Sequence, residues 1–237
     1  MGLSIEDRMK RFIPGYYPYK IAKVKRSNEP ELAILHELVA PGSTAVDVGA
    51  NRGYYSYALA KVAGRVEAFE PHPLLAQFAR KKLGPRVRVH SVALADHEGY
   101  EKFRVPQDER GVDCHLGGHL GNLHAATKFA EYDVRVATLD SFGLDNVSFI
   151  KIDAEGSELA VIKGAARTIA RWRPSLVIEL LVGWHESRAA IEAITALIPY
   201  TPQVLIDGRR IDAFEALAMQ PAAIKSANVL FVRKADG

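Results

Sequence analysis

The stretch that most constrains the fold runs from Thr44 to Tyr57 and reads TAVDVGANRGYYSY. An apolar segment ends near an acid, turns at two glycines and continues with the pattern of an amphipathic helix. This is typical of the first strand, turn and helix of a nucleotide-binding α/β domain. Gly49 and Gly53 permit positive φ angles and let a ligand approach the backbone closely. A helix that begins near Tyr54 would direct its free N–H groups toward that ligand.

The acid in this turn favours a cationic cofactor over a dinucleotide. The spacing is Asp-x-Gly-x-x-x-Gly, whereas dinucleotide-binding turns usually have Gly-x-Gly-x-x-Gly. A carboxylate at Asp47 would repel a pyrophosphate and attract a cation. S-adenosylmethionine fits, because it carries a sulfonium and an ammonium group and no phosphate. The alternative is the turn of any doubly wound domain, with Asp47 as a turn-capping residue.

Acidic residues also follow the next two strands. The segment Arg65–Pro71 is short and apolar and contains Glu70 at its end, about one βα unit after the turn. In doubly wound folds a carboxylate at this position accepts both ribose hydroxyls. Asp96 follows the third strand, and either Asp96 or the backbone near Ala93 could meet the adenine amino group. The alternatives are a surface acid for Glu70 and a hairpin-turn acid for Asp96.

Two more strands end in acids at the same edge of the sheet. The fourth covers Val147–Asp153 and precedes Glu155, and the fifth covers Arg173–Glu179. Ligands of open α/β sheets bind outside the carboxyl ends of the strands, so Asp153 and Glu155 should lie beside the cofactor turn. Both acids could instead cap the helix that follows. A divalent cation held by Asp153, Glu155 and Glu179 is a further alternative, although a metal is not favoured.

The remaining elements are predicted from apolar periodicity and from glycine and proline stops. We predict helices over Glu29–Val39, Leu74–Leu83 and Glu186–Leu197, and one that begins near Ser157. We predict further strands over Val87–Leu94, Tyr100–Val105, Val134–Leu139, Thr201–Ile206 and Asn228–Val232.

Two segments have no regular pattern. In residues 1–28, proline and glycine interrupt the aromatic stretch Phe12–Tyr19, which predicts a strap on the outside of the sheet or a cap over the substrate. The segment Pro106–Asp133 contains one cysteine and three histidines, namely Cys114, His115, His119 and His124. These could ligate zinc, but their spacing matches no familiar zinc site. A mobile glycine-rich loop over the active site is the favoured interpretation.

Composition indicates an ordinary globular protein. The 237 residues are 48% hydrophobic and 25% charged, and no apolar run is long enough to span a bilayer or to form a signal region. The single cysteine agrees with a reducing compartment, so we expect a cytoplasmic protein. The net charge of +3 comes without aromatic residues among the basic ones, so nucleic acid is not the expected substrate. The oligomeric state stays open, a homo-oligomer included.

Several blocks of the sequence together carry a family resemblance. They are Val46–Ser56, Phe69–Pro71, Ala93–Gly99, Thr138–Asp140, Ile150–Glu158, Arg173–Pro174, Ile178–Glu179 and Asn228–Val232. In these blocks the chain resembles the FkbM-family S-adenosylmethionine-dependent methyltransferases. The resemblance implies a Rossmann-like class I methyltransferase fold of the α/β class. Its sheet would be seven-stranded and mostly parallel, with helices on both faces and an antiparallel last strand. Residues 1–40 would form an N-terminal strap and helix of the same domain, and residues 41–237 the catalytic domain.

The resemblance also implies roles for single residues. By motif position, the methionine half of the cofactor would be held by Asp47, Gly49, Asn51 and Gly53, and its ribose by Glu70. The complete set of expected cofactor contacts is Asp47, Gly49, Ala50, Asn51, Gly53, Tyr54, Glu70, Pro71, Ala93, Asp96 and Asp153. The candidate catalytic residues are Asp153, Glu155, Lys151, Glu179 and His185.

The acceptor implied by the family is a hydroxyl group of a sugar, glycan or natural product. A sugar hydroxyl is weakly acidic, so an in-line methyl transfer requires a base within hydrogen-bond reach. We predict Asp153 as that base, with Glu155 orienting the acceptor or Lys151, and His185 or a loop histidine as the alternative base. The rival functions are N-methylation of a small molecule and a non-catalytic cofactor-binding scaffold. A nicotinamide dehydrogenase fits less well, because its glycine spacing differs.

Overall fold

The computed structural model describes residues 29–108, 111, 113, 118–120, 128–181, 184–219 and 226–233. Of residues 119, 181, 184–186, 226 and 227 only the backbone is described. Among the described residues, no helix combines the length and the apolar character needed to cross a membrane.

The chain alternates strands and helices. The strands are β1 (Thr44–Val48), β2 (Arg65–Phe69), β3 (Val87–His90), β4 (Ala93–Leu94), β5 (Gly99–Pro106), β6 (His119–Leu120), β7 (Phe129–Ala137), β8 (Val147–Ile152), β9 (Ser175–Leu181), β10 (Tyr200–Ile206), β11 (Arg209–Asp212) and β12 (Ser226–Arg233). The α-helices are α1 (Leu35–Leu38), α2 (Tyr54–Leu59), α3 (Pro73–Lys82), α4 (Glu158–Gly164), α5 (Ala166–Trp172), α6 (Trp184–Leu197) and α7 (Ala213–Met219). Two 3-10 helices cover Pro30–Ala33 and Leu139–Phe142.

The main sheet has the order β11-β10-β12-β9-β8-β1-β2-β3. Strands β3, β2, β1, β8 and β9 pair in parallel, and β12 runs antiparallel to both β9 and β10. The mostly parallel α/β sheet and its antiparallel last strand are therefore confirmed. The carboxyl ends of β1, β2, β8 and β9 meet at one edge, which is where ligands bind in such folds.

Side chains alternate between the two faces of this sheet, and each face has its own core. The larger core packs against helices α4 to α7. The smaller core contains Phe149 and Val177 and packs against α1, α2 and the preceding 3-10 helix. With a period of two, the polar residues Lys151 and Glu179 follow these apolar ones on the same face, beside Asp47 of β1. Polar groups thus share one face near the ligand edge.

A second sheet has the order β4-β7-β5-β6. Phe103, Val105, Val134 and Val136 form its inner apolar face. The entire sheet lies in the chain between β3 and β8, so it is an excursion from the main sheet. Parts of the segment that we expected to be a loop belong to this excursion, since β5 ends at Pro106, β6 lies within the segment and β7 begins at Phe129.

The strand count of the main sheet was wrong, because the described residues contain eight strands there instead of seven. The additional strand is β11, which pairs with β10 through a tight turn at Asp207 and Gly208. Both turn residues have positive φ, 49° and 76°, as a two-residue hairpin of this type requires. The sequence predictions contained neither β11 nor helix α7, since they placed no element between Ile206 and Asn228.

Three predicted elements differ in the structure. The strand expected over Val87–Leu94 is divided between the two sheets, since β3 ends at His90 and β4 begins at Ala93. The strand expected to reach Leu139 ends at Ala137, and a 3-10 helix follows. The helix expected over Glu29–Val39 is a 3-10 turn followed by the single turn α1. No side chain caps the start of that 3-10 helix, which leaves its first turn weakly held.

Candidate active site

The turn after β1 is held tightly against the neighbouring strands. The amides of Gly49 and Ala50 both donate to the carbonyl of Phe69, at 2.9 and 3.0 Å. Gly49 has a φ of 76°, and a Cβ there would collide with the carbonyl oxygen of Asp153. Only glycine therefore permits β1 and β8 to end so close together. The backbone of Gly49 forms part of the wall of the cleft at this edge.

Glu70 is buried at the end of β2, as expected of a residue that faces a ligand. Its carboxylate accepts hydrogen bonds from the backbone amides of Asn51, at 2.6 Å, and His72, at 2.8 Å. Burial raises the pKa of Glu70 to about 7, although these two hydrogen bonds act in the opposite direction. Asn51 has a left-handed φ of 49°, which turns its amide toward the acid. Glu70 thus fixes the turn and lines the cleft.

Asp47 has a different position from the one a direct cofactor contact would need. It is 1% exposed and accepts a short hydrogen bond from the hydroxyl of Ser56 on α2. Burial raises the pKa of Asp47 to about 6, although this hydrogen bond acts in the opposite direction. Asp47 therefore links α2 to β1 beneath the turn. Its negative charge acts on the cleft although Asp47 does not line it.

A cleft of about 710 Å³, including space open to solvent, lies along this edge. The β1 turn, the end of β2, the loop after β8 and the second sheet with its strand β4 all contribute to its walls. The lining residues are Val48, Gly49, Asn51, Phe69, Glu70, Pro71, His72, Leu75, Val92, Ala93, Leu94, Phe103, Val105, Gly118, Leu120, Asp153, Ala154, Glu155 and Ser157. Apolar walls with a few convergent acids are typical of a small-molecule site.

Lys151 lies behind Asp153 and is almost fully buried. Its ammonium is 3.4 Å from a carboxylate oxygen of Asp153 and 3.7 Å from one of Glu179, and it lies 5.4 Å from the ring centroid of Tyr55. Burial alone lowers the pKa of Lys151, but the surrounding carboxylates, Asp153 and Glu179 foremost, raise it above its usual value. Burial also raises the pKa of Glu179 to about 7, and the charge of Asp153 adds to that rise.

The loop after β8 is shaped by Glu158. Its carboxylate accepts hydrogen bonds from the amides of Ala154 and Gly156, at 3.2 and 2.9 Å. Glu158 therefore satisfies two backbone amides of the loop that precedes α4. Asp153 and Glu155 both line the cleft, where a ligand could contact them.

Two acids that the sequence analysis missed complete this cluster. Glu31 is fully buried and accepts a hydrogen bond from the side-chain amide of Asn228, at 2.6 Å. Burial raises the pKa of Glu31 to about 7 and also raises the pKa of Glu29. Both acids lie within electrostatic range of Lys151. Neither stands at a strand end, and their only sequence signal was an acid in an otherwise apolar helical stretch.

A second network missed from sequence joins the cleft to the second sheet. The His72 ring accepts a hydrogen bond from the amide of Leu74 and lies 3.4 Å from a carboxylate oxygen of Asp113. The hydroxyl of Tyr132 donates a short hydrogen bond to the same carboxylate. His72 follows directly after Glu70-Pro71, so this network holds the second sheet close to the expected ribose position.

The other predicted site residues line the cleft, lie near it without lining it, or fall outside the described residues. Pro71 and Ala93 line the cleft, whereas Ala50, Gly53 and Tyr54 belong to the turn and the start of α2 without lining it. Asp96 is exposed and contacts His97 at 3.0 Å, so it is not among the lining residues.

The third group lies outside what the structure describes. The side chain of His185 belongs to it, and so do Cys114, His115, His124 and the side chain of His119, on which the zinc hypothesis rests. Within the described ranges, no group of three or more His, Cys, Asp or Glu side chains is arranged to hold a metal ion. At Asp153 and Glu179 the ammonium of Lys151 supplies the positive charge.

Comparisons with known proteins agree on one group. A family model described as the methyltransferase FkbM domain matches residues 47–201. The chain is 25% identical over 213 residues to the 2-O-methyltransferase NoeI of Sinorhizobium fredii, covering 83% of this chain and 86% of NoeI. The crystal structure of methyltransferase FkbM from Methylobacillus flagellatus KT aligns with a TM-score of 0.50 and 20% identity. That alignment covers 95% of this chain but only 57% of the other, so it supports the fold alone.

Proposed function

The chain belongs to the FkbM methyltransferases, and on that premise we propose that it transfers a methyl group from S-adenosylmethionine to a hydroxyl of a sugar, glycan or natural product. One observation carries the proposal: Glu70, Gly49 and Asp153 come from three separate strand ends and meet around one cleft. The relative NoeI is a 2-O-methyltransferase, which supports oxygen as the atom methylated.

The residues of the cleft fit S-adenosylmethionine. The Glu70 carboxylate can still accept from ribose hydroxyls, because each of its oxygens has used one acceptor position on a backbone amide. Val92, Ala93 and Leu94 offer an apolar surface and backbone groups for the adenine, and Phe103 also lines the cleft. Asp47 and Asp153 contribute negative charge near the turn, and among the described residues that line the cleft there is no lysine or arginine. When bound, S-adenosylmethionine supplies an electrophilic methyl group on a positively charged sulfur.

Asp153 is the proposed base. Its side chain is 31% exposed, so an acceptor can reach it, while the Lys151 ammonium behind it balances its charge. The acceptor oxygen would bond to the methyl carbon as the carbon–sulfur bond breaks, and the hydroxyl proton would pass to the Asp153 carboxylate. Glu155 is proposed to orient the acceptor from the cleft wall. Glu179 is the second carboxylate beside Lys151 and the reserve site for the proton.

The proposal is tested by calorimetric titration with S-adenosylmethionine and, separately, with NAD. We expect S-adenosylmethionine alone to bind, and Glu70→Gln to weaken that binding about tenfold to a hundredfold by loss of a charged acceptor. The matched control is Glu215→Gln, an exposed acid on α7 at the other end of the sheet, which should leave binding unchanged. Binding of NAD in place of S-adenosylmethionine would overturn the proposal.

A further inference from the structure

Lys151 of β8 pairs with Asp153 and Glu179, and the carboxyl groups of Glu29, Glu31 and Asp47 lie within electrostatic range of it. We call the set of Glu29, Glu31, Asp47, Asp153 and Glu179 the carboxylate ring, with Lys151 at its centre. Each of the five carboxylates acts on Lys151 or on another member of the ring. Asp153 belongs both to the carboxylate ring and to the lining of the cleft. An acceptor bound beside Asp153 would therefore lie close to the ring and to the cofactor.

Within the part of the chain that the structure describes, the carboxylate ring has more acids than cations paired with them. Lys151 is the one cation in hydrogen-bond or ion-pair contact with ring members among the contacts that the structure describes. Burial and repulsion between ring members raise the pKa values of Glu29, Glu31 and Glu179. A positive or hydrogen-bond-donating group that enters would relieve the repulsion, and a further anion would increase it.

Unpartnered polar atoms beside the ring point to the same kind of ligand. Among the described residues, one carboxylate oxygen of Glu31, the hydroxyl of Tyr55 and the side-chain oxygen of Asn228 are buried and find no hydrogen-bond partner. Glu31 and Tyr55 are 0% and 6% exposed, and the two interact electrostatically. Two of these three groups can only accept hydrogen bonds and the third can do either. A hydroxyl or amino group nearby is compatible with this concentration of acceptors, whereas a carboxylate or phosphate nearby would add to their repulsion.

We propose that the carboxylate ring restricts the acceptor to sugars without an acidic group, neutral or amino sugars, and excludes uronic acids and sugar phosphates. This inference rests on the proposed function and specifies its substrate class. The ring acts mainly through its charge, since Glu31 and Asp47 are buried too deeply for direct contact. Selection by charge needs no contact, because the interaction of two charges extends over several ångströms in a partly buried site.

The test compares three methyl glycosides that differ in one group: methyl glucoside, its 6-amino derivative and methyl glucuronide. Their binding to the protein saturated with S-adenosylhomocysteine is measured by saturation-transfer difference NMR at about pH 8, where the ring carboxyls of pKa about 7 are mostly ionised. We expect the neutral and amino sugars to bind at least about tenfold more tightly than the glucuronide. The comparison uses the unaltered protein, so it does not depend on any variant folding.

Variants then assign the discrimination to the ring. Glu29→Gln and Glu179→Gln should each reduce the ratio between glucoside and glucuronide by about threefold or more, and Glu215→Gln should leave it unchanged. Equal or tighter binding of the glucuronide by the unaltered protein would overturn the inference. So would the absence of saturation transfer to all three sugars while S-adenosylhomocysteine binds. Failure to bind S-adenosylhomocysteine would instead overturn the proposed function, on which this inference rests.

Discussion

The two halves of the site are built in different ways. The proposed cofactor half consists of the β1 turn, Glu70 and the segment around β4, which follow one another within about one fifth of the chain. The acceptor half joins Glu31, Tyr55, Lys151, Glu179 and Asn228, which are distributed over almost the whole described chain. The first half depends on turn chemistry that each segment carries by itself. The second exists only when the strands have paired in register and the segment before β1 covers them.

The halves also differ in how completely they satisfy their own polar groups. Glu70 gives each carboxylate oxygen a backbone amide. Glu31 has one oxygen paired with Asn228 and the other without a partner. A buried acid whose oxygens all accept hydrogen bonds stabilises the fold. One with an unpaired oxygen favours a neighbouring group that is cationic or can donate a hydrogen bond. The comparison therefore predicts rigid recognition in the cofactor half and chemical selectivity in the acceptor half.

The largest expected effect separates catalysis from binding. Asp153→Asn removes the proposed base but keeps its size, so turnover should fall by about 10²- to 10⁴-fold while S-adenosylmethionine binding persists. Initial rates and calorimetry on the same preparation check this. Glu155→Gln is the matched control on the same loop and should reduce turnover less. An Asp153→Asn protein with unchanged turnover would refute the role of the base.

Next in size is the effect of a methyl group in the cofactor turn. Gly49→Ala places a Cβ against the Asp153 carbonyl and strains a φ of 76°, so we expect unfolding free energy to fall by about 3 kcal/mol and cofactor binding to be lost. Gly208→Ala is closely matched, because Gly208 has the same φ of 76° but open space around it. There we expect only about 1 kcal/mol, from backbone strain alone. Urea denaturation of both variants measures the difference, and equal losses would contradict the crowding at Gly49.

A third prediction concerns pH and the acceptor half. Burial raises the folded-state pKa of Glu31 from 4.5 to about 7, so the folded state binds a proton more tightly than the unfolded chain. The stability from this group is fully present below pH 4.5 and is lost as the pH rises through about 7. The loss is on the order of 3 kcal/mol at most. Thermal unfolding between these pH values should show Glu31→Gln to have a smaller slope than the unaltered protein, and Glu37→Gln, an exposed acid of α1, to have the same slope. A stability that increases as the pH rises from 4.5 to about 7 would contradict the assignment of this effect to Glu31.

The smallest effect concerns a hydroxyl group. Tyr55→Phe removes a buried O–H without a partner, so stability should be unchanged or higher by up to about 1 kcal/mol. Tyr200→Phe removes an O–H that donates to the Pro174 carbonyl at 2.8 Å, and it should cost about 1 kcal/mol. Chemical denaturation compares them. If Tyr55→Phe is the more destabilising of the two, its hydroxyl is not an unsatisfied group.

The difference between the halves also explains what the sequence could predict. The Asp-x-Gly turn and Glu70 were predicted because both signals are local: a strand end, a glycine and an acid in consecutive residues. Lys151, Asp153 and Glu179 were found for the same reason, since each lies near a strand end. Glu31 could not be placed, because its significance depends on Asn228, which is 197 residues away. The second sheet was missed where its strands enter a long polar segment, in which alternation of apolar residues is weak.

The second sheet leaves and rejoins the main fold at one place. Ala93 and Leu94 at its start pair in parallel with Val136 and Ala137 at its end, so entry and exit lie side by side. A segment with adjacent ends can change in length or sequence with little effect on the strands outside it. Phe103, Val105 and Leu120 of this sheet line the cleft. An exchange of this segment would therefore change the cleft. Grafting the equivalent segment of a relative would alter the shape of the cleft without disturbing Glu70 or the carboxylate ring.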